Sequence, residues 1–311
     1  MAENLFIQFE QWLQTEDCSP LTVRSYLSAL RAFVIWFEQT QDKVFEPILV
    51  TSLDVRTYRQ HIQTVKRLAP ATINRHLAAL RTYMRWAQST NLIEHNPLAG
   101  IKSVPSETPA PRWLERTEQR ALIREAEQEM LLGDFCAGGD KTAPGYIWPR
   151  RDYALVMFLL NTGLRLAEVA ALTLDDIEIN ERSGKVVVRQ GKGGKFREVP
   201  MNATARSSVS EWLDVRPKSK SDSLFLSQKG GPLSMRGISS RISTLAKAAG
   251  LKDVSPHTLR HSFAKNLINA GVSLEKVAAL LGHSSISVTQ RYVTPSQVDL
   301  QIATEAVAWE D

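Results

Sequence analysis

The sequence predicts a mainly α-helical chain in two domains, the second carrying a small β-sheet. Three observations carry this reading. The first hundred residues repeat apolar side chains at three- and four-residue steps, the spacing of one helix face. Ser103 to Arg112 holds Pro105, Pro109 and Pro111 among Ser and Thr, the composition of an extended, exposed linker. Two β-prone runs, Lys185–Arg189 and Phe196–Pro200, flank the glycine-rich turn Gly191-Lys192-Gly193-Gly194. Length agrees, since 311 residues is long for one ordinary domain and fits two. The bounds expected are 1–104, a linker at 105–112, and 113–311.

In the first domain Val23, Tyr26, Leu27, Leu30, Phe33, Val34 and Phe37 mark one helix, and Ile73, Leu77, Leu80, Met84 and Ala87 another. The two segments resemble each other at an offset of 50. Pro20/Pro70, Thr22/Thr72, Leu27/Leu77, Ala29/Ala79, Leu30/Leu80, Arg31/Arg81 and Trp36/Trp86 coincide, seven matches in nineteen positions, which gives the two helices equivalent structural duties. Shorter helices near Glu3–Thr15 and Ser52–Lys66 complete a four-helix unit. Between Thr22 and Asn91 ten Lys and Arg face four acids, a local excess of +6 in a chain of net +5. A basic surface on that scale points to a polyanion. Arg24 and Arg31 are seven apart and share a face; Arg81 and Arg85, four apart, share another, with Arg75 on the same helix. These five arginines are either a solvated polar face or phosphate contacts.

The second domain begins with a helix from Thr117 to about Leu131, followed by an irregular insertion at Gly133–Pro149 rich in Gly, Asp and Pro. A buried helix spans Arg151–Asn161, a turn follows at Thr162-Gly163, and another helix runs from about Arg165 to Leu172. Beyond Asn202 the pattern is mainly helical, with Gly250, Gly271 and Gly282 as helix stops.

Several classes are excluded. The longest apolar run is the eight residues Tyr153–Leu160, far short of the roughly 18–20 that cross a bilayer. MAENLFIQFEQ has neither the basic start nor the apolar stretch of a signal peptide. Cys18 and Cys136 read as free thiols in a reducing cytosol. His257 and His261 are four apart, but Thr258 stands where a zinc protease motif needs Glu, so no metal site is expected. Gly191–Lys195 lacks the length and the Ser/Thr ending of a nucleotide P-loop.

What remains is a scattered set of cationic and hydrogen-bonding residues: Arg165, Lys192, His257, Arg260, His261, His283 and Tyr292. Each alone has an ordinary explanation as surface, turn, cap or packing residue. Together, Thr162-Gly163-Leu164-Arg165-Leu166-Ala167-Glu168, Gly191-Lys192-Gly193, His257-Thr258-Leu259-Arg260-His261-Ser262-Phe263-Ala264 and Leu281-Gly282-His283-Ser284-Ser285, followed by Thr289-Gln290-Arg291-Tyr292, resemble the tyrosine recombinase (phage integrase) family, most of all its Xer-type and transposon-borne members. The resemblance covers nearly the whole chain.

The resemblance implies an N-terminal SAM-like core-binding domain and a C-terminal α+β catalytic domain forming a C-shaped clamp on double-stranded DNA. It implies a site-specific recombinase that cuts DNA through a 3′-phosphotyrosyl intermediate and a Holliday junction, without metal, cofactor or ATP. Tyr292 is the implied nucleophile. Arg165 and Arg260 hold the phosphate, His257 assists proton removal, His283 steadies the phosphate, and Lys192 protonates the leaving 5′ oxygen. The chemistry suits them. A guanidinium fork matches two phosphate oxygens, and charge builds on those oxygens in the transition state. Glu168 and Asp175 or Asp176 read as carboxylates that orient cations. Gln297, Leu300, Ile302, Ala303, Ala306, Val307 and Trp309 mark a final helix, implied to join a homo- or hetero-tetramer. The expected location is cytoplasmic, on the nucleoid. A type IB topoisomerase-like relaxase and a non-catalytic DNA-binding regulator are the alternatives. Dimer resolution, cointegrate resolution, integration and inversion all fit the motifs. Two departures from the Xer pattern are the insertion at 133–149 and Val293-Thr294 after the tyrosine.

Overall fold

A computed structural model describes residues 2–16, 18–106, 111–189, 196–283, 285–290, 292 and 304–305. The chain divides into two compact units, Met1–Thr108 and Pro109–Asp311. The first is built from α1 (Ala2–Thr15), α2 (Pro20–Gln41), α3 (Ser52–Thr64) and α4 (Pro70–Ser89). Both α2 and α4 carry proline in the first turn, where its missing N–H costs nothing. Ser19 caps α2, and Thr51 with Asp54 forms a capping box on α3. The sequence repeat has a structural meaning: Leu27 and Leu30 of α2 and Leu77 and Leu80 of α4 are buried in one core, and the matching Ala29 and Ala79 are buried as well. Aromatic rings fill it, with Phe33 edge-on to Tyr58 at 5.0 Å and Phe9 edge-on to Tyr83 at 5.1 Å. The chain after α4 is tied back onto the same unit. Asn74 and Val104 exchange two hydrogen bonds of 2.9 and 2.8 Å, and Arg81 donates to the Ile101 carbonyl at 3.0 Å.

The second unit holds α5 (Arg116–Ala137), α6 (Pro144–Thr162), α7 (Leu166–Ala171), β1 (Ile177–Ile179), β2 (Gly184–Val188), β3 (Arg197–Pro200), α8 (Ala203–Val215), α9 (Met235–Ala248), α10 (Pro256–Asn269), α11 (Leu274–Leu281) and α12 (Ile286–Gln290). The strands form an antiparallel sheet in the order β1-β2-β3, with Val186 opposite both Ile177 and Val199. Val186, Val188 and Val199 turn into the core, the alternation of a sheet covered on one face. β1 was not expected from the sequence. The turn at 191–194 lies outside the described residues.

The irregular insertion expected at Gly133–Pro149 is corrected. α5 runs through Gly133 to Ala137, and α6 starts at Pro144, so only 138–143 link the helices. The residues that read as breakers are packing devices. A side chain at Gly133 would meet the Gly145 carbonyl at 2.0 Å, so the glycine lets the two helices touch backbone to backbone. Pro149, inside α6, has no N–H to give the Gly145 carbonyl four residues back. Arg150 then braces the pair, with two bonds to Asp134 of 2.6 and 3.0 Å and its guanidinium over the Tyr146 ring.

α6 is the central helix of the unit. Ala154 through Leu160 are buried without interruption, which explains why it reads as an apolar run rather than an amphipathic stripe. It ends at Gly163 in the left-handed region (φ 62°). A Cβ there would stand 2.3 Å from the Phe263 ring, so both the backbone angle and the space demand glycine.

Candidate active site

Two glycine-terminated helices point their last carbonyls at two arginines. α6 ends at Gly163 and α11 at Gly282, both left-handed, and both ends carry the negative pole of a helix dipole. Arg260, on α10, donates Nη1 to the Gly163 carbonyl at 2.5 Å and Nη2 to the Leu281 carbonyl at 2.8 Å. Arg165, the N-cap of α7, donates Nη2 to the Gly282 carbonyl at 2.8 Å. The guanidiniums are thus clamped mostly by neutral oxygens, which fix direction without cancelling charge.

Arg260 is 4% exposed, and among the described residues no carboxylate pairs with it directly. Burial, then the charge of Arg165, pushes its pKa down to about 10. Arg165 is half-buried and meets Glu168 at 2.9 Å through Nη1 and 2.7 Å through its backbone N–H. Burial pushes the Glu168 carboxyl up, but hydrogen bonds from Arg197 and Arg165 outweigh it and hold the group below the usual carboxylate range. Glu168 is therefore an anion that orients cations, as its place in the sequence implies. Asp176 does the same for Arg189.

The histidines lie around this pair. His257, exposed on the first turn of α10, is pushed down by desolvation of its inner edge and by the charges of Arg260 and Arg165. His283 follows Gly282; burial, then the Arg260 and Arg165 charges, push it down to about 4. It is neutral near pH 7, so Arg260 Nη2 donates to its Nε2 at 3.0 Å. Its proton sits on Nδ1 and goes to Thr289 Oγ1 at 2.9 Å.

A histidine held neutral has a stability consequence. Unfolded, its pKa returns to about 6.5. Between about 4 and 6.5 the unfolded chain binds a proton that the folded chain refuses, so stability is complete above that window and falls as pH drops through it. The thermal midpoint of the DNA-free protein is expected to fall from pH 7 to pH 5. The His283→Gln protein should show a shallower fall, by on the order of 1–2 kcal/mol at pH 5. Equal slopes for the two proteins would remove His283 from the account.

Tyr292 sits within this assembly. Its ring is 2% exposed against Phe263, Ala264, Val277 and Leu281, and its hydroxyl is 2.6 Å from His261 Nδ1. Phe263 and Leu281 also pack on Gly163, whose carbonyl holds Arg260. The phenol is close enough to Arg260 to act on its charge. The structure thus brings together Arg165, His257, Arg260, His283 and Tyr292. Lys192 lies outside the described residues, as does nearly all of the final helix. The imidazole that reaches the phenol is His261, one helical turn beyond His257. The motif resemblance implies no catalytic role for His261, which the sequence marks only as a cationic neighbour four residues from His257. Arg197 was missed altogether; it lies 29 residues from Glu168 along the chain, and no local pattern marks it.

Other tyrosines are poorly placed to react. Burial pushes the Tyr58 and Tyr83 phenols far up, and the Tyr146 ring lies under Arg150. Of the five arginines read as DNA contacts, Arg24, Arg31, Arg75 and Arg85 are exposed, while Arg81 is half-buried and engaged with Ile101. Among the described residues no group of three or more His, Cys, Asp or Glu could hold a metal ion, and no helix is long and apolar enough to cross a membrane. Cys18 and Cys136 are unbridged.

Comparison with known proteins agrees with the motifs. Residues 140–298 match the phage integrase family, and residues 5–94 match the phage integrase N-terminal SAM-like domain. The chain is 30% identical over 292 residues to tyrosine recombinase XerC of Shewanella amazonensis, covering 92% of this chain and 90% of that one. It is 45% identical over 147 residues to tyrosine recombinase XerD of Corynebacterium glutamicum, a match covering 46% of this chain and 47% of that protein. The XerH site-specific recombinase, solved on palindromic difH substrate as a post-cleavage complex, shares the fold with a TM-score of 0.72 at 23% identity, over 97% of this chain and 83% of that one. The Tn1549 transposon integrase, solved with transposon right end DNA, gives 0.72 at 20% identity over 98% and 99%. With both domains matched in order and a curated relative aligned across nine-tenths of its length, the chain belongs to the phage integrase family and is a tyrosine site-specific recombinase.

Proposed function

We propose that the protein binds a recombination site in double-stranded DNA and cleaves one strand by attack of Tyr292 Oη on a backbone phosphorus. The bond formed is tyrosyl O–P, and the bond broken is P–O5′. A proton leaves the phenol and another reaches the departing 5′ oxygen. The products are a 3′-phosphotyrosyl end and a free 5′ hydroxyl, and the retained bond energy lets a second 5′ hydroxyl reverse the step without ATP. Arg165 and Arg260 bind the two non-bridging oxygens, whose charge grows in the transition state. His283 adds a hydrogen bond, and an incoming phosphate anion favours its protonated form. His257, with His261 beside the phenol, takes up the nucleophile's proton. Lys192 supplies the proton to the 5′ oxygen. Exchange of strands in pairs through a Holliday junction, within a tetramer joined by the C-terminal segments, completes recombination. The exposed arginines of α2 and α4 contact the duplex backbone.

The observation that carries this reading is the buried Arg260. A guanidinium held by three neutral partners and, among the described residues, no direct carboxylate is a charge waiting for an anion. The test starts by recovering a binding site from a random-sequence duplex library. A nicked duplex carrying that site, which loses the short fragment bearing the 5′ hydroxyl, should trap a covalent protein–DNA species on a denaturing gel. Plasmids without the site should not be relaxed. Relaxation of such plasmids would make the protein a topoisomerase, and absence of adducts on the selected site would make it a binding protein.

A further inference from the structure

Arg197 is the first residue of β3, separated by Phe196 alone from the 191–195 segment that carries Lys192. Its side chain is 14% exposed and gives Nη1 and Nη2 to the two oxygens of Glu168, both at 2.8 Å. Those same oxygens each accept one bond from Arg165. One buried carboxylate is therefore shared evenly between two arginines. On its other side the Arg197 guanidinium presses on Gly282, where an added Cβ would meet its Cζ at 2.9 Å. The Gly282 carbonyl is the other acceptor of Arg165. Both anchors of Arg165 are thus backed by Arg197.

Charge and geometry give this a purpose. Arg165, Arg197 and Glu168 together carry +1; without Arg197 the pair would carry zero. With both Glu168 oxygens free, Arg165 would swing into a fork-to-fork pair with the carboxylate, the strongest geometry open to it. As it stands, Arg165 offers Glu168 one Nη and its backbone, and its Nε has no protein partner among the described residues.

We infer that Arg197 is a positioning residue for strand cleavage: by occupying both oxygens of Glu168 and backing Gly282, it keeps Arg165 directed at the phosphate with its charge uncancelled. The inference rests on the proposed role of Arg165 as a phosphate clamp.

The test uses the full chain and the nicked duplex carrying the selected site, with protein in excess. Arg197→Met should slow adduct formation roughly 10- to 100-fold, the usual effect of letting a reacting group drift. The concentration giving half-maximal DNA binding should stay unchanged, because the Arg197 guanidinium is half-buried and taken up by Glu168. Adding Glu168→Gln to Arg197→Met should recover most of that loss, since a neutral amide no longer captures Arg165. Arg197→Lys should fall between wild type and Arg197→Met. An Arg197→Met rate within about threefold of wild type, with Arg165→Ala inactive, overturns the inference and leaves the clamp standing. A wild-type rate for Arg165→Ala overturns the clamp itself. A loss that Glu168→Gln does not relieve makes Arg197 a merely structural residue and also overturns the inference. If Arg197→Met melts below the assay temperature, Arg197→Lys decides, and a wild-type rate there rejects the inference.

Discussion

The Tyr292→Phe protein is expected to fold, to bind its site with wild-type affinity, and to form no covalent DNA adduct. The substitution removes one oxygen. The ring stays packed against Phe263, Ala264, Val277 and Leu281, so the core around it is kept. The hydroxyl's bond to His261 Nδ1 is lost, a change worth about 0.5–1.5 kcal/mol in a net hydrogen-bond balance. Loss of the proposed nucleophile is of another order, at least about 10⁴-fold in rate. A phenol titrates near 10, so its attack at neutral pH depends on neighbours that accept the proton and favour the phenolate. His261 and Arg260 are placed for those two tasks. Tyr83→Phe is the matched control. The Tyr83 hydroxyl is buried in the first unit without a hydrogen-bond partner among the described residues, so its removal should leave cleavage untouched and stability equal or slightly higher. The measurement is a denaturing gel of the nicked duplex after incubation with each protein. An adduct formed by Tyr292→Phe at more than trace level would identify a different nucleophile and dismantle the mechanism.

The contrast between Tyr292 and Tyr83 also shows what sequence can and cannot disclose. Both sit in apolar surroundings, and the order of motifs around Tyr292 singles it out, although neither its burial nor its bond to His261 could be foreseen. The helices of the first unit were legible because Leu27, Leu30 and Phe33 recur with the helical period, and that period is imposed by the core they fill. α5 and α6 were misread between 133 and 149 for the opposite reason. Gly133, Gly145 and Pro149 are the local marks of a loop, and their real cause is a close helix crossing between residues twelve apart. β1 has three residues and no alternation long enough to register. In the site, Arg165, His257, Arg260 and His283 were legible as motif residues, with only His257 and Arg260 on a shared helix. The links among them were not. Glu168 meets Arg197 from another element, and Arg260 is held by carbonyls of Gly163 and Leu281, whose side chains say nothing about it. Backbone acceptors carry no sequence signature, and this site is built largely from them.

The second large effect is expected for Arg260→Lys, which keeps the charge and loses the fork. Arg260 uses two terminal nitrogens to bridge the ends of α6 and α11 and, through Nη2, to hold His283 Nε2. An ammonium on a flexible stem cannot span the Gly163 and Leu281 carbonyls together, nor present a planar pair of donors to two phosphate oxygens. His283 loses the donor that fixes its ring, so both proposed phosphate contacts are disturbed by one change. Removal of a single preorganised donor from a charge-stabilising site costs about 3–4 kcal/mol, a factor of roughly 10²–10³. Adduct formation under single-turnover conditions should fall at least that far. Affinity for the duplex should change little, since one buried contact adds small weight to a binding surface made of many phosphate contacts. A rate for Arg260→Lys within about threefold of wild type would mean that charge alone suffices at this position. The two carbonyl-bound helix ends would then be scaffolding for the fold rather than the means by which α6 and α11 aim a cation at the scissile phosphate.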